Sequence, residues 1–362
     1  MDADGNGELS QAELLAQITV TEDEFGDQSR DGGAIFCGNG AVGTLANCAF
    51  LNNSTPIDGD DGGAINISGL SVITINDCLF DGNYAVSPDG VKLDGPDGDA
   101  GHVKVQGGSA SAITLGTTLI ANRCIFVNGG AEDDGAAIQS SAVGSIIRLN
   151  ACWFEGNTAA DDGTVLFIGN ESSGELTVTN CVFANNISAA ASDRMCQVRR
   201  NSKFVNCTFV GNDQDDQALI HNNANSADTD ADGEDDESED VTQVVNCIFL
   251  NNVVGDGDDV LKSRNASFTI AAMNCLFFGN ALQNGDPADN TQRPDEETGS
   301  VTDDPLLDAN LVPGVGSPAI DAGMDPATFG VILTADYDGI LRPQGAGYDI
   351  GAMEVAVTPP IE

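Results

Sequence analysis

The chain of 362 residues carries 13 Lys and Arg against 57 Asp and Glu, a formal net charge of −44. Such a field repels phosphate backbones and anionic lipid surfaces, which sets nucleic acid and membrane surfaces aside as partners and favours divalent cations that neighbouring carboxylates can share. Apolar residues reach 41% but aromatic ones only 5%, beside 43 glycines, and no stretch approaches the roughly 20 apolar residues of a membrane span. That balance suits a thin core of small and aliphatic side chains better than a thick sandwich or a helical bundle.

Residues 1–20 open on Asp2-Ala3-Asp4-Gly5-Asn6-Gly7-Glu8, with Leu9 in the usual apolar place and Glu13 closing the loop. Acids or Asn at loop positions 1, 3 and 5, Gly at 6 and Glu at 12 are the pattern of a twelve-residue calcium loop. Asp2, Asp4, Asn6, Glu8 and Glu13 are the expected Ca2+ ligands. The entering helix is missing, so the element reads as half of an EF-hand or a dockerin-like piece, and the chain as a fragment of a longer secreted protein.

Residues 31–302 repeat. Asn-Cys-x-Phe-x-x-Asn and its variants recur at Cys48, Cys78, Cys124, Cys152, Cys181, Cys207, Cys247 and Cys275, and 26 to 30 residues separate five of the seven successive pairs. Cys and Phe lie two apart and share one side of a strand, preceded by alternating apolar positions as in Val72-Ile73-Thr74-Ile75. The Asn three residues after Phe reads as a left-handed turn position, and Gly129 as its one replacement, since Gly tolerates that geometry better. Upstream, Gly-containing turns such as Asp61-Gly62-Gly63-Ala64-Ile65 and Asp134-Gly135-Ala136-Ala137-Ile138 open a second strand. A unit this short buries nothing alone, but stacked units bury a continuous core. The pattern predicts an all-β fold, a single-stranded right-handed parallel β-helix of about eight rungs and on the order of 35–40 Å long. Eight cysteines in one place per repeat form a stack of buried thiols rather than disulfides, and Cys37 and Cys196 fall outside it.

Three further features bear on chemistry. Asp228, Asp230, Asp232, Glu234 and Glu239 match calcium-loop spacing within an acidic insertion, where a disordered acidic loop is an equal reading. The pairs Asp60-Asp61, Asp133-Asp134 and Asp161-Asp162 recur at one place in the repeat, which marks turn chemistry or a line of weak cation sites rather than one catalytic pair. If Val103, Ile138, Leu166, Cys196, Ile220 and Leu261 point inward, their neighbours point out. His102, Lys104, Arg199, His221, Lys262 and Arg264 then share one face with Gln139, Gln197 and Asn223. That face is the expected ligand-binding strip.

Residues 303–356 contain Asp304-Pro305-Leu306, Gly316-Ser317-Pro318-Ala319-Ile320-Asp321, Asp336-Tyr337-Asp338-Gly339, Arg342-Pro343 and Asp349-Ile350-Gly351-Ala352-Met353-Glu354. They read as a C-terminal cap over the last coil, whose open strand edges would otherwise invite aggregation, and 357–362 as the start of a linker. The Gly-Gly-Ala-Ile and Phe-x-x-Asn repeats resemble those of polymorphic outer membrane proteins, and the 303–356 motifs resemble the closing segment of secreted choice-of-anchor β-helix proteins. The resemblance implies an extracellular or bacterial cell-surface location and an adhesin-like, glycan-contacting scaffold. The pectate-lyase-like fold carries the alternative, a polysaccharide lyase or hydrolase with an Arg or Lys base beside calcium-bound carboxylates. The expectation is a non-catalytic, calcium-binding, monomeric rod that contacts polysaccharide or cell-surface glycan.

Overall fold

The computed structural model describes residues 32–38, 40–55, 62–85, 99–106, 116–140, 144–160, 162–169, 174–188, 194–199, 202–214, 217–223, 241–264, 269–291 and 297–356. The calcium motifs at 2–13 and 228–239, the pair Asp60-Asp61, Asp161 and the 357–362 tail lie outside the described residues.

The chain is all-β, and each repeat contributes three short strands that pair in parallel with their counterparts in neighbouring repeats. The first sheet runs from Ile35–Cys37 and Ile65–Ile67 through Val103–Val105, Ile138–Ser140, Leu166–Ile168, Cys196–Val198 and Ile220–Asn222 to Leu261–Ser263. The second runs from Val42–Ala46 and Val72–Asn76 to Thr269–Met273 and Glu297–Thr298, and the third from Ala49–Leu51 and Leu79–Asp81 to Leu276–Phe278. Strand order follows chain order in all three, as expected of a stacked repeat.

The sequence suggested one strand running through Cys-x-Phe, and the structure breaks it. The residue before each cysteine adopts positive φ, from Asn47 at 53° to Asn274 at 49°, which turns the chain between the second and third sheets. Asn and Gly tolerate that geometry best, yet Ala151 and Arg123 occupy it too.

Cys and Phe do face inward together. Eight phenylalanines from Phe50 to Phe277 stack with ring centroids 4.6–5.0 Å apart and interplanar angles of 4–15°. Stacked pairs of this kind add about 0.5–1.5 kcal/mol beyond their buried area. All ten cysteines are free. Burial raises the pKa of the Cys152, Cys196 and Cys247 thiols, so they behave as small apolar groups.

The asparagine three residues after Phe does not take the left-handed position. That belongs to the residue before it, such as Asn52, Gly82, Asn185 or Gly211. The asparagine itself is a buried ladder rung. The Asn157 side-chain amide donates to Asn186 Oδ1 at 3.0 Å and to the Phe126 carbonyl at 3.0 Å, and Asn186, Asn212, Asn252 and Asn280 continue the row. Each amide thereby satisfies a backbone carbonyl and its neighbour's side chain, the condition for burying polar groups without penalty.

Gly129 interrupts this ladder for a reason other than backbone freedom. His102, expected on the outer face, is fully buried between Phe80 and Phe126, and a Cβ at Gly129 would lie 2.5 Å from its Nε2. Its Nδ1 lies 3.0 Å from Asn83 Nδ2 and its Nε2 3.2 Å from Asn157 Oδ1. The Asn83 amide is already oriented by Asn53 and the Phe50 carbonyl, so Nδ1 accepts and Nε2 carries the proton. The imidazole is therefore a neutral splice that bridges two rungs across a missing asparagine.

Residues 303–356 pack along the flank of the stack, the last coil included. Ala352 and Met353 pack on Val182 and Ala184, Val331 and Leu333 on Val205 and Val245, and Ala319 and Ile350 on Ile248 and Leu276. The left-handed asparagines hold the segment: Asn180, Asn206, Asn246 and Asn274 donate to the carbonyls of Ala335, Asp349, Met324 and Ala322 at 2.8–2.9 Å. At the final repeat, Leu276 bridges to Val301 and Leu261 to Thr291.

Inside the segment, the Arg342 guanidinium donates to the Gly351 carbonyl at 2.8 Å and pairs with Glu354, both side chains fully buried. Glu354 also accepts from the backbone of Gln344 and Asp349, while Asp336 takes the Ile340 and Glu354 amides. The acidic motif residues thus brace the loop. Replacing Glu354 by Ala strands a buried guanidinium, and we expect a loss of about 3–5 kcal/mol. Limited proteolysis should then cut within 303–356 before the repeats.

Candidate functional site

Asp99, Asp134 and Asp162 hold equivalent places in the turn that precedes the first sheet. The Asp134 amide donates to Asp99 Oδ1 at 3.2 Å, and the Asp162 amide to Asp134 Oδ1 at 3.0 Å, so each carboxylate caps the next repeat. The following Gly135 and Gly163 sit at φ 68° and 72°, as the Gly-turn reading required. This stacking crowds like charges: one oxygen each from Asp99, Asp133 and Asp134 lies within 4.8 Å of the others. Burial, followed by Asp133, Asp99 and Asp162, pushes the Asp134 carboxyl up to about 9.

The outward row of the first sheet lies beside these acids. Phe36, Asn66, Lys104, Gln139, Phe167, Gln197, His221 and Lys262 are in register. The row was expected to be an open face, but Lys104 and Gln139 are 2% exposed and His221 4%. Lys104 pairs with Asp99, and Gln139 Nε2 donates to Asp99 Oδ2 at 3.0 Å. Lys262 pairs with Asp258, while Arg199 donates to the Ile168 and Asn223 carbonyls. Arg264 is exposed at the rim. Burial of long cationic side chains follows from the turn acids, which supply a partner for a stem lying along the sheet.

Arg194, not singled out from the sequence, organises the far end of the row. It pairs with Asp162 and donates to Gln197 Oε1 and to His221 Nδ1. Burial, then the positive charges of Arg194, Lys262, Arg199 and Arg264, lowers the His221 pKa to about 3. A neutral ring accepting from a guanidinium has its proton on Nε2, and that atom has no partner among the described residues. Of the six residues expected to form a binding strip, the structure thus spreads five along the first sheet and its edge and removes His102 to the interior.

Chemically, the place among the described residues where oxygen ligands converge is the Asp99–Asp133–Asp134 cluster. Gln139 Oε1, buried on the adjacent strand and without a partner among the described residues, is a further hard donor close to Asp99. Carboxylates and an amide oxygen are the ligand set of calcium. The sequence pointed to the Asp133-Asp134 pair by its recurrence, but Asp99 and Gln139 join it only through stacking. No family model, curated protein or solved structure matches the chain.

Proposed function

We propose that the stacked repeats close into a right-handed parallel β-helix of about eight rungs that serves, outside the cell, as a non-catalytic calcium-binding scaffold of the adhesin-like kind. In-register parallel pairing through every repeat supports the coil. The observation that carries the calcium reading is the convergence of Asp99, Asp133 and Asp134 within 4.8 Å. A lyase would need a base poised at a calcium-bound carboxylate cluster; Lys104 lies against Asp99 but is buried and ion-paired, and Lys262 is held by Asp258. That pairing supports the non-catalytic reading.

The test is a thermal melt in calcium and in chelator, with Asp134→Asn compared in each. Calcium is expected to raise the midpoint of the wild type. A carboxyl whose folded pKa is raised destabilises the metal-free fold as pH climbs from 4 towards 9, so Asp134→Asn should melt higher than wild type in chelator at pH 8. In calcium that advantage should vanish or reverse. A midpoint indifferent to calcium in both proteins would remove the metal from this site.

A further inference from the structure

A trough of about 710 Å³ runs between the outer face of the second sheet and residues 330–339 of the flanking segment. Its floor is built from strands Thr118–Asn122, Ile146–Asn150, Glu175–Thr179 and Ser202–Val205. Outward positions stand in two rows in register. One reads Ile120, Arg148, Thr177, Lys203, and the other reads Asn122, Asn150, Thr179. Four neighbouring strands spaced about 4.8 Å apart give the rows a length on the order of 15 Å.

Two guanidinium groups are set in place before any ligand arrives. Arg123 grips Asp77 through Nε and Nη2 at 2.6 and 2.7 Å, and Arg148 grips Glu175 at 3.2 and 3.1 Å. Both side chains remain about half exposed, at 56% and 48%. A guanidinium fixed by a two-point carboxylate contact still offers the N–H groups of its remaining nitrogen, at little further entropic cost. Asn180, 1% exposed in the floor, has an Oδ1 without a partner among the described residues. The opposite wall adds the Asp336 and Asp338 region, the half-buried Tyr337 ring, and Ile332, which is 84% exposed.

We propose that this trough binds a neutral, linear oligosaccharide. Hydroxyl groups both donate and accept, and the trough sets the Arg123 and Arg148 donors among Thr177, Asn122 and Asn150, beside the apolar Ile120, Ile332 and Tyr337, which suit the C–H faces of sugar rings. Charge favours a neutral ligand: three cations and three acids line the trough, in a molecule whose net charge of −44 repels polyanions. A peptide adding as a strand would need an open sheet edge, whereas the floor strands Ile146–Asn150 and Glu175–Thr179 are paired on both sides. The site is independent of the acidic cluster, so calcium dependence and sugar binding can fail separately.

The experiment is isothermal titration of the full chain with neutral β-glucan and mannan oligosaccharides, a uronic-acid oligomer and an acidic peptide, each to millimolar concentration. Saturable binding of a neutral oligosaccharide is expected. Thr177→Trp, which fills the floor from an outward position, should abolish it, and Arg148→Gln should weaken it about tenfold. Circular dichroism and the melting midpoint identify variants that retain the fold. The proposal is overturned if no neutral oligosaccharide binds, if folded Thr177→Trp binds as well as wild type, or if the uronic-acid oligomer or peptide binds more tightly.

Discussion

Phe183→Ala is expected to cost about 3–5 kcal/mol, the usual range for truncating a fully buried phenylalanine. Phe183 is 0% exposed and stacks on Phe154 at 4.8 Å and on Phe209 at 4.6 Å, so truncation opens the aromatic column on both sides. Phe50, at the first described position of the column, stacks among the described residues on Phe80 alone. Its alanine variant should lose about half as much. Trp153 pairs in register with Val182, directly beside Phe183, and its fluorescence reports the defect in a urea titration. Equal losses for Phe50→Ala and Phe183→Ala would show that packing is not transmitted along the column.

The second large effect is on pH dependence. Burial holds the His102 imidazole neutral, with a pKa lowered to about 3 against 6.5 for the free group. The unfolded chain therefore takes the proton first as pH falls. Stability from this residue is complete above about 6.5 and declines by about 1.4 kcal/mol per pH unit until the folded pKa is reached. His102→Leu keeps apolar bulk between Phe80 and Phe126 but cannot titrate. The stability difference between wild type and variant should shrink by that slope from pH 6 to 4, after which the variant can become the more stable protein. A constant difference over that range would place a solvated histidine at this position. His221 adds a similar slope that both proteins share.

These two residues show where sequence reading succeeds and where it fails. Phe and Cys two apart, repeated every 26 to 30 residues in most intervals, identify an inward column because strand periodicity leaves no other common face. The Gly-turns were equally legible, since positive φ selects so few residues. Asn157 and its equivalents were misread as turn residues. Asn suits a left-handed bend and a buried ladder alike, and only the neighbouring repeat shows which role holds. His102 was misplaced because its strand position argued for an outward side chain, while the vacancy that admits it lies at Gly129, 27 residues further on in the next coil.

The acidic cluster divides in the same way. Asp133 and Asp134 stood out by recurrence, whereas Asp99 and Gln139 reach them across hydrogen-bonded repeats. The trough has no local signature at all, since one wall is a sheet face and the other a segment more than 125 residues further along from Lys203. By itself the sequence determined the all-β repeat, the inward residues and the acidic turns, because these follow from short-range periodicity and backbone geometry. Tertiary structure decided which polar groups meet: that His102 splices the ladder, that Lys104 and Lys262 pair with acids beside the first sheet, and that residues 303–356 lie along the flank. Those outcomes depend on contacts between repeats, where hydrogen-bond satisfaction and desolvation outweigh any local preference.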